Sequence, residues 1–245
     1  MTVPRKSKKA QAMPSDGVAQ RPTVRQSPPT LKEVVAGRLR HAIFSGGLKP
    51  NQRIDQDLMA MEFGVSKLPV REALISLENE GLVISVPRRG CFVAPLTRED
   101  VYDHYVLIGL VEGRAASRAA TRMTDEDLAL LRDLLDQFNR ATDPEEQGRL
   151  NFLFHRHINR TGASRRLRSV LRQLTSTMPA KFYEFARDWE NKARREHETI
   201  FAALSSRSAD ASEKAMVAHI ESGAELAISI LEKGGFWSED VKDNS

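Results

Sequence analysis

Between Thr30 and Ala94 the chain is cut by glycine at Gly46-Gly47, Gly64 and Gly81, so any helix in this stretch is only about two to four turns long. No other feature of the sequence restricts the fold as much. The capping box Thr30-Leu31-Lys32-Glu33 opens the first helix, and Leu31, Val35, Leu39 and Ile43 recur at helical spacing up to Gly46. After a Leu48-Lys49-Pro50 loop, a second helix is expected from about Asp55 to Phe63, carrying Leu58, Met59 and Phe63 and stopped by Gly64. A third is expected from Ser66, as N-cap, to Glu80; it tolerates Pro69 in its first turn, where N–H groups lack intrahelical acceptors. Two β-rich runs follow, Leu82 to Val86 and Cys91 to Ala94, joined by Pro87-Arg88-Arg89-Gly90 as a hairpin with a basic tip. Three helices and a two-stranded wing make a winged helix-turn-helix over residues 30–96.

Residues 1–29 read differently. Five prolines, Pro4, Pro14, Pro22, Pro28 and Pro29, are mixed with serine, glutamine and lysine and show no apolar period, which predicts a disordered arm. It carries Arg5, Lys6, Lys8, Lys9, Arg21 and Arg25 against Asp16 alone, whereas the chain after residue 96 has a slight acidic excess. The net charge of +4 is therefore in part a property of the arm. Such an arm either attracts phosphate without regard to sequence or is a solvated tail.

From Thr97 onward the pattern changes to apolar stripes at helical spacing with no credible strand. Thr97 with Asp100 and Thr124 with Asp127 mark two helix starts, and helices are expected near 98–121, 125–141, 144–161, 165–186, 190–206 and 209–233. Short connections imply an antiparallel α-helical bundle over residues 97–233, followed by a flexible tail at 234–245. The fold class is thus mainly α. No apolar run approaches the roughly 20 residues that span a bilayer, and the N-terminus has no apolar h-region. The single cysteine, Cys91, makes neither an intrachain disulfide nor a Cys-rich zinc framework, so a reducing cytoplasm is the expected location.

In the third helix Val70, Leu74 and Leu77 form the stripe to be buried, which leaves Ser66, Lys67 and Arg71 near its N-terminal, outward side. A recognition helix enters the major groove by that end, and arginine pairs with guanine O6 and N7 through two hydrogen bonds. A winged helix used for protein contacts, with Arg71 paired to an acid, is the alternative. The span from Thr30 to Pro95 resembles the DNA-binding domain of GntR-family bacterial transcription regulators. The resemblance is carried by Gly64-Val65-Ser66, Pro69-Val70-Arg71-Glu72-Ala73-Leu74, Leu77, Glu80-Gly81-Leu82-Val83, and Arg89-Gly90 followed by Phe92-Val93. It implies that Ser66, Lys67, Pro69 and Arg71 face DNA and that Arg89 and Gly90 bring the wing tip toward the minor groove. Lys67 stands where the family often has arginine, a point charge in place of a planar fork.

Of six histidines, His155, His197 and His219 each lie on the apolar face of a different expected helix, whereas His157 projects away. One such histidine is usually a satisfied core residue. Three converging on one core need partners, and a divalent metal supplies one. Asn151, one turn before His155, reaches the same ion.

Residues 97–233 resemble the FCD-type ligand-binding domain of one large branch of the GntR family. The pattern lies in Leu110-Val111-Glu112 with Ala115 and Ala116, in Asn151-Phe152-Leu153-Phe154-His155, in Glu196-His197, Ile200 and Ala203, and in Asp210, Ala215, Met216, His219 and Ile220. This implies a Zn-, Ni- or Mn-type site formed by Asn151, His155, His197 and His219. Asn151 occupies a position that is often aspartate, Ile108 one that is often arginine, and Ser164 one that is often asparagine.

Neither glycine pair has the setting of a phosphate loop, and no serine or cysteine nucleophile sits in a motif with a base. With the two resemblances, the expectation is a regulator, not an enzyme: a homodimeric repressor on a palindromic double-stranded DNA operator, and the FCD resemblance implies release by a small organic acid at the metal. Two alternatives stay open, a metal-free helical domain serving only dimerisation and a metal-dependent enzyme fused to a winged helix.

Overall fold

A computed structural model of the chain describes residues 29–175, 189–233 and 235–237. The basic arm up to residue 28, positions 176–186 of the helix expected from residue 165, and the tail after 237 lie outside the described residues. Helix α1 (Leu31–Phe44) begins at the expected capping box, in which the Thr30 side chain accepts from the Glu33 N–H and Glu33 reaches back to the Thr30 N–H. Helix α2 (Gln56–Phe63) is capped by Asp55 and ends at Gly64, whose φ of 67° is left-handed and turns the chain into α3 (Lys67–Asn79). Val70, Leu74 and Leu77 of α3 are buried with Val35, Leu39 and Ile43 of α1, so the expected stripe is the packed one.

Among the described residues the sheet has three strands, where the sequence predicts two. Strands β1 (Arg53–Ile54), β2 (Val83–Val86) and β3 (Gly90–Val93) pair antiparallel in the order β1-β3-β2, with Ile54 opposite Cys91 and Ser85 opposite the same residue on the other side. Two residues of β1 are too few to show an alternating pattern, and their pairing depends on β3, almost 40 positions later.

Among the described residues six helices follow: α4 (Arg98–Arg122), α5 (Asp125–Arg140), α6 (Pro144–Gly162), α7 (Arg165–Thr175), α8 (Trp189–Ser205) and α9 (Ala209–Lys233). Capping boxes at Thr97–Asp100 and Thr124–Asp127 start α4 and α5, and Asp143 caps α6 with Pro144 in its first turn. Their shared core joins Ala116, Ala119 and Ala120 of α4 to Leu131 and Leu135, Phe154 and Ile158, Ile200 and Leu204, and Met216. Helix α4 runs against α9 and α6 at small residues: a Cβ on Gly113 would lie 2.6 Å from Val217 Cγ2, and one on Gly162 would lie 1.8 Å from the Ala115 carbonyl oxygen.

The winged domain shares its core with the helical one through Val101, Tyr105, Ala227, Leu231 and Phe236. Phe236 is 3% exposed, and the Trp237 indole N–H donates to the Leu96 carbonyl at 2.7 Å. The Arg98 guanidinium lies 4.8 Å from the Trp237 ring centre and its Nε bonds Glu232 at 2.6 Å. These two aromatics fall within the span expected to be flexible. They pack because Gly235, at φ 73°, turns the chain back over the linker after α9 ends.

Candidate DNA-reading face and metal centre

Ser66, Lys67 and Arg71 are exposed together at the N-terminal end of α3. Ser66 has N-cap geometry, but its hydroxyl makes no capping bond, which leaves it and the first-turn N–H groups available to phosphate. Lys67 forms an ion pair with Asp57, and Arg71 Nε donates to Gln56 Oε1 at 3.3 Å; both partners stand in the first turn of α2. Among the described residues no carboxylate lies within ion-pair distance of Arg71, against the protein-contact alternative in which it pairs an acid. Pro69 differs from the expectation of a DNA-facing residue: it is buried at the start of α3.

The wing tip is a tight turn closed by the Arg89 N–H on the Val86 carbonyl at 3.0 Å, with Arg88 at φ 64° and Gly90 at φ 103°. Arg88 and Arg89 project from it, Arg89 lying 5.8 Å from the Phe92 ring centre. Glycine suits position 90 because a side chain at its φ of 103° would be strained.

In the helical domain His155 of α6, His197 of α8 and His219 of α9 converge, each offering one ring nitrogen within 4.8 Å of the others. His155 Nδ1 bonds Glu112 Oε2 at 2.7 Å and His219 Nδ1 bonds Glu196 Oε2 at 2.8 Å. A carboxylate only accepts, so both Nδ1 atoms carry the proton and both Nε2 atoms present lone pairs in the neutral rings. Those two Nε2 atoms face each other 3.2 Å apart. Two lone pairs at that distance repel unless a cation lies between them. Nitrogens sharing one ion at about 2.0–2.1 Å each would stand roughly 3.0–3.4 Å apart, so the observed spacing fits a metal. His197 is fully buried with neither ring nitrogen partnered, and Asn151 Oδ1 is likewise buried without a partner. The residues present therefore fit a divalent ion, with the Asn151 amide oxygen as a candidate fourth donor.

The electrostatics favour the neutral form of two of the three imidazoles. Burial, reinforced by the neighbouring His219 and His155, pushes His197 well below the ordinary histidine range. Burial also lowers His219, although its hydrogen bond to Glu196 opposes this. For Glu112 burial would raise the carboxyl, but His155, and the Asn159 amide at 3.0 Å, outweigh it and hold the group below the usual carboxylate range. Glu196 follows the same balance, with burial opposed by His219 and by the Ser222 hydroxyl at 2.9 Å.

In the sequence Glu112 and Glu196 stand only as parts of the FCD-like pattern, with no role at the site, yet they bond two of its three imidazoles. An acidic residue directly before His197 and another amid the buried alanines of α4 were the available signals. His157 lies apart, its Nε2 3.1 Å from Asp127. Ile108 is buried one turn before Glu112, and the Ser164 hydroxyl accepts from the Leu167 N–H, which caps α7.

With this geometry established, relatives place both halves. Residues 31–93 match the bacterial regulatory proteins of the gntR family, and residues 103–222 match the FCD domain. The HTH-type transcriptional regulator YdhC of Bacillus subtilis is 29% identical over 80% of this chain and 91% of its own length. The HTH-type transcriptional repressor RspR of Escherichia coli K12 is 26% identical over 81% and 90%. A GntR-family transcriptional regulator from Pseudomonas syringae superposes over 85% of this chain and 90% of its own, with a TM-score of 0.51 and 28% identity. No described helix is long and apolar enough to cross a membrane. Matched in both halves and in their order, the chain belongs to the GntR family, in the branch with an FCD domain, and is a DNA-binding transcriptional regulator.

Proposed function

We propose that this regulator is a cytoplasmic homodimeric repressor that binds a palindromic operator and leaves it when a small organic acid binds at a divalent metal in the helical domain. The observation that carries this reading is the pair of carboxylate-anchored imidazoles whose Nε2 atoms meet at 3.2 Å beside the unpartnered His197. Asn151, His155, His197 and His219 would hold the ion, and Glu112 and Glu196 fix the ring orientations. A bound divalent ion supplies a Lewis-acid centre with positions open to carboxylate or hydroxyl oxygens. On the DNA side Ser66, Lys67 and Arg71 would meet the major groove, and Arg89 with Gly90 the minor groove. The name of the repressor relative RspR accords with the sign of regulation.

The test is operator binding titrated with candidate organic acids, with and without chelator. Release that requires metal supports the reading, and DNA affinity that responds identically in both conditions overturns it. Arg71→Ala is expected to weaken binding to the selected operator by about 1–3 kcal/mol while the thermal midpoint stays unchanged. Equal affinities at matched salt would remove Arg71 from the reading face.

Metal occupancy has a pH signature. Protons compete for neutral imidazole nitrogen, and His197 and His219 resist protonation because burial lowers both. Occupancy is therefore expected to hold from pH 8 to about 6.5 and to fall only below that, as read by elemental analysis after equilibrium dialysis. A loss of metal centred above pH 7 would contradict the ligand set.

A further inference from the structure

We propose that the first turn of α2, which touches DNA in no part of the reading above, sets how α3 reads it: Gln56 positions Arg71, and Asp57 restrains Lys67. The inference rests on the reading of Lys67 and Arg71 as DNA-facing and adds two residues that the recognition helix itself does not contain.

Gln56 is half-buried between the two helices and the wing. Its Oε1 accepts from Arg71 Nε at 3.3 Å, and its Nε2 donates to Cys91 Sγ on β3 at 3.8 Å, a sulfur that also meets Ser85 Oγ on β2 at 3.6 Å. The amide has one workable orientation. Guanidinium offers only donors, so an Nε2 turned toward Arg71 would set donor against donor. Engaging Nε leaves the two Nη groups as the free end of the fork, and a two-pronged end is what guanine O6 and N7 accept. Arginine not held in this way must lose its rotamer freedom on binding, which weakens the specific complex and leaves sequence-independent contacts untouched.

Asp57 acts in the opposite direction. It is exposed, and its carboxylate is not the helix cap: Asp55 Oδ1 accepts from the N–H groups of Asp57 and Leu58 at 2.9 and 3.2 Å. What the Asp57 carboxylate does is neutralise Lys67 on the face that meets DNA. A carboxylate there withholds one cation from phosphate whatever the base sequence, so it lowers affinity for every duplex alike.

The two residues therefore leave separable signatures. The experiment uses full-length protein, a duplex selected by it from a random-sequence library, the same duplex with each G·C pair exchanged in turn, and random-sequence DNA. Gln56→Met keeps the volume and removes the acceptor. It is expected to cost roughly three- to tenfold on the selected duplex, to leave random-sequence binding unchanged, and to flatten the preference at one G·C position. That penalty is expected to vanish in an Arg71→Ala background, which a purely structural role of Gln56 would not allow. Asp57→Asn is expected to raise affinity for both kinds of DNA together and to steepen the salt dependence by about one counterion, with their ratio preserved.

If Arg71→Ala itself leaves specific binding intact, the reading of α3 falls and this proposal falls with it. If Arg71→Ala weakens binding but Gln56→Met does not, or its penalty persists without Arg71, the positioning role alone is overturned. An unchanged salt slope for Asp57→Asn removes the restraint on Lys67, and this surface substitution can be measured even if Gln56→Met lowers stability.

Discussion

Wild-type protein is expected to carry up to one divalent ion per chain, and His197→Ala protein is expected to purify without it. His197 is 0% exposed and wedged between Phe138 and Phe154, with ring centres 5.1 and 4.7 Å away, so nothing of comparable chemistry can take its place. Losing a supporting residue around a metal typically costs ten- to a hundredfold in affinity, and losing a direct ligand is expected to cost about a hundredfold or more. The loss also appears as stability. An ion at a hundred times its dissociation constant stabilises the folded state by about 2.7 kcal/mol, and the variant forfeits that increment. Elemental analysis and thermal melts with and without added Zn, Ni or Mn check both effects. Asn151→Asp is expected to move the other way, tightening binding by adding charge where the amide offers only a dipole. Wild-type protein that melts identically with every metal and with chelator would leave the histidines as an apolar-core arrangement.

Gly162→Leu is expected to destabilise the helical domain by about 3 kcal/mol or more, read as a shift in the urea midpoint. Even a Cβ at this position would stand 1.8 Å from the Ala115 oxygen, 2.7 Å from its carbonyl carbon and 2.9 Å from the Ala119 nitrogen. All three are backbone atoms in the middle of α4, so no rotamer change relieves the clash and the two helices must part. They are also the helices that bring Glu112 to His155, so metal affinity is expected to fall with stability. Gly148→Ala on the same helix is the control. A Cβ there meets nothing within 4 Å, and alanine favours helix by up to about 1 kcal/mol. Equal behaviour of the two variants would mean that the close approach of α4 and α6 is not what holds the domain.

Local signals carried a large part of this molecule. Capping boxes at Thr30, Thr97 and Thr124 and the glycine stop at Gly64 fall where the helices begin and end, because a cap bonds within three residues of itself. The exposed trio on α3 and the three inward histidines were likewise legible, since helical periodicity alone decides which side of a helix a residue occupies. Periodicity did not give Pro69 its burial, which depends on how α3 seats against its neighbours.

What tertiary structure alone decided is who meets whom. Glu112 lies 43 positions from His155 and Glu196 lies 23 from His219, and a contact across such a distance leaves no spacing to recognise. The same holds for β1 against β3 and for Trp237 on the Leu96 carbonyl, 141 positions away. Local signals set where the described helices begin and which residue types are available for DNA and metal, but not every apolar position faced inward: Leu31 and Leu58 are exposed. Only the packed fold turned three separate histidines into one site, because ring orientation and proton position are set by carboxylates that the chain brings in from other helices.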